Sequence, residues 1–422
     1  MICLLACTDQ KKDVSNDSRK ITEVNASALP LHKGTKVITG ATLIDGNGGV
    51  PLDDAVIVIQ DNAIQAVGAL GSVEIPSGAE VTEAKGLYLL PGLIDAHFHY
   101  DLVEGLPSAF LQNGITSVRD PGEWIEVYEP EMNGSEPLPR LFLSGPHLDV
   151  FPPAYPEDAY IVRDEEEVKR AVEILAGSGV TVIKVYFRMP LGFIKQACET
   201  ADQYNLPVTA HLEITDAREA IIAGIDGVEH VTSFGTTLQP MMEAEQYRQK
   251  ILADGSNRRV GRYNTWSSLD LNSAPTDSLM QFLVTHGTFV TPTLAAFEYI
   301  PSDDAYDTIK VKAFENMKKF VSKAADSGVK IVVGSHGVVS YAEKGWAFQH
   351  EMKLLVESGM PNMEVIVGAT SRNAAFFRVS DRLGSLEKGK QADLILVEGN
   401  PLEDIASMKN IRKVMLNGVW VR

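Results

Sequence analysis

Cysteine is scarce in this 422-residue chain: Cys3, Cys7 and Cys198 are the only three. None lies at a paired spacing, so neither a disulfide framework nor a cysteine zinc site is indicated. No apolar run approaches the ~20 residues that a membrane-spanning helix needs. Internal repeats and low-complexity tracts are also missing. Positive charge is in short supply, with 38 Lys and Arg against 56 Asp and Glu and a formal net charge of -18. A surface of that sign repels phosphate backbones, which argues against nucleic acid as a partner. What remains is an ordinary globular composition, 45% apolar and 22% charged.

The length suits one large barrel plus a smaller domain. Residues 36–70 alternate in short strand-like runs, with Asp61-Asn62 as a hairpin turn. The far C-terminus has the same texture: Ala392-Asp-Leu-Ile-Leu-Val, then Ile411 to Val421 with the hairpin signal Asn417-Gly418. Two β-rich ends around one large middle predict a composite β-sandwich domain, 34–90 plus 380–422. In the middle, 91–379, strand-like runs alternate with helical patterns, the signature of βα units. Eight strands can be named: Leu93–His97, Thr116–Arg119, Arg140–Leu143, Val182–Tyr186, Pro207–His211, Gly227–His230, Thr288–Thr293 and Lys330–Gly334. Eight units in about 280 residues predict an α/β fold, a (β/α)8 TIM barrel, whose usual size is ~250. The longest connection, Val231 to about Ser278, is polar with aromatic Tyr263 and Trp266. It reads as a lid or specificity loop. The acid-rich run Asp164–Glu167 reads as a solvated helix start.

Histidine marks strand ends. His97 and His99 close the first strand, two apart and therefore on one side of it. His211 ends the fifth strand, His230 the sixth, and His336 lies just past the eighth. Singly, each would be a hydrogen-bonded interior histidine, and His32 and His286 are assigned to structure or surface. Together, at the barrel end where active sites form, the five point to a cation. Lys184 sits within the apolar strand Val182–Tyr186. A lysine is rarely buried unless paired. Either it snorkels to the rim, or carboxylation by CO2 turns it into an anionic carbamate able to bridge two ions.

The run Leu90-Pro-Gly-Leu-Ile-Asp-Ala-His-Phe-His99 resembles the signature of the amidohydrolase superfamily. The likeness continues through Gly114–Asp120, Val182–Val185, Thr209–His211, Gly227–His230 and Leu383–Leu394, covering roughly Lys36 to Val421. The branch it resembles is imidazolonepropionase-like, with Xaa-Pro dipeptidases and hydrolases of N-acyl amino acids. The resemblance implies one or two divalent transition-metal ions, zinc foremost. His97 and His99 would hold the more buried ion and His211 and His230 the more exposed one, with Lys184 bridging them as a carbamate. It also implies a small-molecule or short-peptide substrate. The family pattern has an Asp where this chain reads Gly334-Ser335-His336-Gly337. His336 then takes the proton-shuttle position, and a His-Glu pair follows at His350-Glu351. Loss of that negative charge would hold the second ion less tightly. His147 corresponds to a histidine that touches the substrate carbonyl or oxyanion. Tyr186, two residues after Lys184, shares its face and could hydrogen-bond a substrate. Arg188 is a candidate for a substrate carboxylate.

Three functions are consistent with these residues. One is hydrolysis of an amide or peptide bond. A second is the same scaffold acting as a lactonase, or on another cyclic amide or ester or a phosphotriester. The third is a non-catalytic, metal-binding surface lipoprotein. For the last, Leu4-Leu5-Ala6-Cys7 resembles a bacterial lipobox. Residues 1–33 would then be a signal remnant and tether with a lipid anchor at Cys7, in the periplasm or on a membrane. The stretch lacks a basic n-region and is shorter than a signal's ~7–15 apolar residues. A true start at Met1 would instead give a cytoplasmic protein. A homo-oligomer is compatible with either.

Overall fold

A computed structural model describes residues 19–302 and 306–422. Cys3, Cys7 and the lipobox reading lie outside the described residues.

The N-terminal part forms β1 (Thr35–Leu43), β2 (Leu52–Gln60), β3 (Ala63–Ala69), β4 (Glu80–Glu83) and β5 (Leu87–Pro91). Ten strands follow: β6 (Leu93–Asp95), β7 (Ile115–Asp120), β8 (Arg140–Leu143), β9 (His147–Asp149), β10 (Ala159–Ile161), β11 (Ile183–Val185), β12 (Val208–His211), β13 (Gly227–Glu229), β14 (Phe289–Thr291) and β15 (Lys330–Ile331). The chain ends in β16 (Leu394–Glu398), β17 (Ile411–Leu416) and β18 (Val419–Trp420).

The two ends share one eight-stranded sheet, in which β16 pairs antiparallel with β5. Alternation assigns its two faces. Leu90, Ile395 and Val397 join the barrel core, while Leu89, Leu394 and Leu396 pack with Ile38, Ile57 and Ile59 in a second cluster. The Asn417-Gly418 turn has the positive φ at both residues, 52° and 79°, that a tight hairpin requires.

The barrel is a (β/α)8 TIM barrel of parallel strands, with β6-β7-β8 and β11-β12-β13-β14-β15 as its ring. Backbone bonds close it: Thr181 donates to Leu143 (2.8 Å) and Ala96 donates to the Val333 carbonyl (2.9 Å). Arg140, buried at the start of β8, ties three parts of the chain together. It bonds Asp393 (2.6 and 3.1 Å), Asn417 and Glu23. The segment from Arg19 is not a free tether. Ile21, Glu23 and Asn25 are buried, and Val24 N–H donates to Leu141 (2.8 Å).

The long connection after β13 also departs from expectation. It is helical, with helices Met241–Ala253, Asn257–Ser268 and Ala274–His286. Trp266 is fully buried against Phe320. Its apolar positions are spaced to cover the barrel, which a polar average over the segment hides. The acid-rich run does start a helix, Glu165–Ser178, with Asp164 accepting from Glu167 N–H (2.8 Å).

Candidate metal centre

The C-terminal strand ends converge on a cavity of about 570 Å³ lined by His97, His99, His147, Lys184, His211, His230 and His336. These seven expected side chains therefore meet, and Tyr186, the eighth, lines the same cavity. The ring centroids of His97 and His230, and of His211 and His230, are 4.6 Å apart. The Nε2 atoms of His97 and His99 face each other at 3.0 Å, a separation that calls for a proton or a cation between them. Among the described residues, His97, His99 and His336 bring ligand atoms within 4.8 Å of one another.

Local sequence explains this convergence. His97 needs room beside the eighth strand, and Gly334 gives it, since a Cβ there would lie 2.7 Å from the His97 Cβ. Gly337 has φ +77°, and a Cβ on it would meet the His99 carbonyl oxygen at 2.2 Å. His230 and His336 themselves take positive φ, 65° and 68°. For non-glycine residues such backbone costs on the order of 1–3 kcal/mol and concentrates at functional sites.

Buried carboxylates aim the imidazoles. Glu229 is fully buried and accepts from His97 Nδ1–H (2.8 Å), Arg119 (2.9 Å) and Thr209 (2.5 Å). Asp120, held by Tyr128 (2.7 Å) and Tyr100 N–H (3.0 Å), lies 3.6 Å from His99 Nδ1. Glu213 contacts His211 Nε2 (3.0 Å), Arg262 and Tyr247. Asp95 receives the N–H groups of His97 and Ser335, both at 3.0 Å, which joins the first and eighth strands. Burial pushes Asp95 up to about 6. The sequence reading gave these four acids no role, although each lies within two residues of a strand-end histidine or ends a strand. Arg262 was missed too, because it arrives on the helix Asn257–Ser268.

Burial keeps most of the rings neutral. It holds His97 and His230 well below the usual histidine range and brings His147, His211 and His336 down to about 3. His99 differs: burial opposes its charge, but the contact with Asp120 outweighs it and raises its pKa. Lys184 is 3% exposed, so it does not snorkel, and burial followed by the charge of Arg119 lowers it to about 8.

The donor set fits a metal. Lys184 Nζ, His211 Nδ1 and His147 Nε2 are buried with no hydrogen-bond partner. Such atoms are rare unless something else satisfies them. Arg188 does not serve the site: its guanidinium donates to the Ile251 and Leu252 carbonyls, so it pins backbone instead. Tyr186 OH accepts from Arg258 (3.0 Å). The His-Glu pair divides: His350 contacts Glu298 (2.6 Å), while buried Glu351 accepts from Leu294 and Ala295 N–H, both at 2.8 Å.

A parallel barrel with imidazoles, a buried lysine and orienting carboxylates at its C-terminal mouth defines a barrel hydrolase. The chain belongs to the amidohydrolase family, which matches residues 88–421. It is 26% identical to the ochratoxinase of Aspergillus niger, over 91% of this chain and 85% of that one. Among solved structures, a Xaa-Pro dipeptidase with bound methionine shares the fold at a TM-score of 0.72. It is 24% identical, with 92% of this chain and 99% of that one covered. The A. niger ochratoxinase structure gives 0.69 at 23% identity, covering 92% and 95%. No helix among the described residues is long and apolar enough to cross a membrane.

Proposed function

We propose that this chain is a metal-dependent hydrolase that cleaves an amide or peptide bond in a small substrate, a dipeptide or an N-acyl amino acid. The barrel, 91–379, is the catalytic unit, and the β-domain of 34–90 and 380–422 supports it. The carrying observation is the convergence of four histidines on Lys184, whose buried Nζ has no partner. His97, His99, His211 and His230 would hold one or two divalent ions, zinc by ligand type, with Lys184 as a carbamate between them. When bound, such ions lower the pKa of a water and polarise a carbonyl oxygen.

The chain's own residues do the rest. Glu229 and Asp120 face the Nδ1 atoms of His97 and His99, leaving the Nε2 atoms for ligation. His336 lies beside the His99 ring (4.8 Å between centroids), a position from which it would take a proton from water and return it to the leaving amine. His147, with Nε2 free, can donate to an oxyanion. Tyr186 lies against it at 4.4 Å between centroids and orients it.

The test is a screen of metal-loaded and chelator-stripped protein against dipeptides, N-acyl amino acids, lactones and phosphotriesters. Amide turnover that disappears on chelation supports the proposal. Turnover of lactones or phosphotriesters alone would move the activity to another bond on the same scaffold. Bound metal without any turnover would make the protein a metal-binding one.

A further inference from the structure

The walls of the cavity carry opposite charge. Asp101 follows β6, Glu123 follows β7, and Asp158 follows β9, so all three stand over the first three sectors of the mouth. Arg262 comes from the connection after β13 and lies by Phe297, which follows β14. In an eight-stranded ring, sectors one to three face sectors five to seven.

The two walls are built differently. On the Arg262 side, Glu213 is buried between Arg262 and Tyr247, and Arg258 stands behind it, hydrogen-bonded to Tyr186. Two guanidiniums, Arg262 and Arg258, thus stand against the one carboxylate of Glu213 and hold it ionised. Arg262 turns Nε and Nη2 onto the same Glu213 oxygen, at 2.8 and 2.6 Å. Its orientation is therefore fixed while its edge lines the cavity.

The acidic wall stands beside one positive group, His99, and holds more carboxylates than that ring can balance. Burial, then the carboxylates of Asp120 and Asp158, push Glu123 up to about 7, with the Trp124 N–H and His99 opposing. Asp158 is raised by burial and by Asp120, Glu157 and Asp101, with His99 opposing. These carboxylates do not converge as a metal site: among the described residues the group of three that does is His97, His99 and His336. An extended acidic field suits an organic cation better than a bare ion. Next to this wall, His147 is 4% exposed, and its buried Nε2, the oxyanion donor of the proposed function, lacks a partner, so a ligand lying along the wall meets an unpartnered polar group.

We infer that the cavity selects substrates with a cationic group on the acyl side of the scissile amide and a carboxylate on the amine side. That description fits unblocked dipeptides, above all those with a basic first residue, and disfavours N-acylated amino acids. The inference rests on the proposed amide hydrolysis and narrows its substrate class. The ammonium would lie against Glu123 and Asp158, the carboxylate would reach Arg262, and the amide would sit over the histidines.

The experiment uses metal-loaded enzyme and three leucine derivatives: lysyl-leucine, N-acetyl-leucine and N-succinyl-leucine. The expected order of kcat/KM is cation, neutral, anion, with about tenfold or more between the ends. In Glu123→Gln with Asp158→Asn, the ratio of kcat/KM for lysyl-leucine to that for N-acetyl-leucine should fall about tenfold, mainly through KM. Calorimetric Kd values for a phosphinic lysyl-leucine isostere and its N-acetylated form give the same comparison without turnover. Equal kcat/KM for the three derivatives, equal Kd values, or a ratio unmoved by the double variant would overturn the inference while leaving amide hydrolysis intact. Failure to hydrolyse any amide would overturn the proposed function itself.

Discussion

Glu229→Gln separates the two duties of one buried carboxylate. Glu229 has no exposed surface and accepts from both the His97 imidazole and the Arg119 guanidinium. Glutamine offers one oxygen. Its NH2 must face either His97 Nδ1–H or Arg119, donor against donor. The charge of Arg119, itself 1% exposed, loses its counter-ion. Breaking a buried pair in this way costs about 3–5 kcal/mol. Arg119 keeps part of its stabilisation through the Ala96 carbonyl (2.9 Å) and the Phe376 ring (3.9 Å to its centroid), which favours the lower end. Losing the partner of a ligating histidine weakens metal binding by roughly 10–100-fold. Arg119→Met breaks the same pair but leaves the carboxylate on His97, so it should cost similar stability and less metal affinity. Denaturant unfolding with chelator present and competitive metal titration read the two effects separately. If folded Glu229→Gln binds metal as tightly as wild type, Glu229 does not aim His97 at a cation and the reasoning fails.

Three further outcomes follow from the site. Lys184 should incorporate labelled CO2 in metal-loaded protein, seen by carbon NMR; Lys184→Ala should lose both the signal and the bridged ion, and short-chain carboxylic acids should restore part of the activity. A bare amine in a high-resolution map of loaded protein would contradict the carbamate. His336→Ala should lower turnover by about 10²–10⁴ while His97 and His99 stay loaded, and full activity would reduce His336 to a spectator. Asp149 predicts a pH effect on stability: burial raises it from 3.8 to about 7, and its buried Oδ2 has no partner. Between those values the folded state holds a proton that the unfolded state lacks, so its contribution is full below about 3.8 and is lost as pH rises through about 7. Asp149→Asn, a mimic of the protonated acid, should flatten that decline in chelator-treated protein; an unchanged slope would show that Asp149 is ionised throughout.

Strand alternation pointed to the mouth of the barrel, but the first strand ends at Asp95, so His97 and His99 meet on the loop beyond it rather than on one strand face, and Tyr186 likewise lies just past Val185. The eight strands were recoverable for the same reason, although most are only two to four residues long in the structure. Groups brought in by tertiary packing were not legible. Arg262 and Arg258 reach the site on a helix whose polar composition read as a loop, and Trp266 gave no sign that it was core. Arg188 lies only two residues beyond the strand-end Tyr186, but backbone carbonyls from the helix Met241–Ala253 capture it. The roles of Glu213 and Glu229 depend on partners 49 and 110 residues away in sequence, Arg262 and Arg119. Periodicity carries no information about such pairs.

The most direct test of the metal centre is the metal content of the purified protein, wild type against His97→Ala with His99→Ala, measured by elemental analysis alongside circular dichroism. Wild type should carry one to two transition-metal equivalents per chain, and the folded double variant should lose the ion that His97 and His99 would hold. Unchanged metal content in a folded double variant, or none in wild type purified with metal present, would contradict the account.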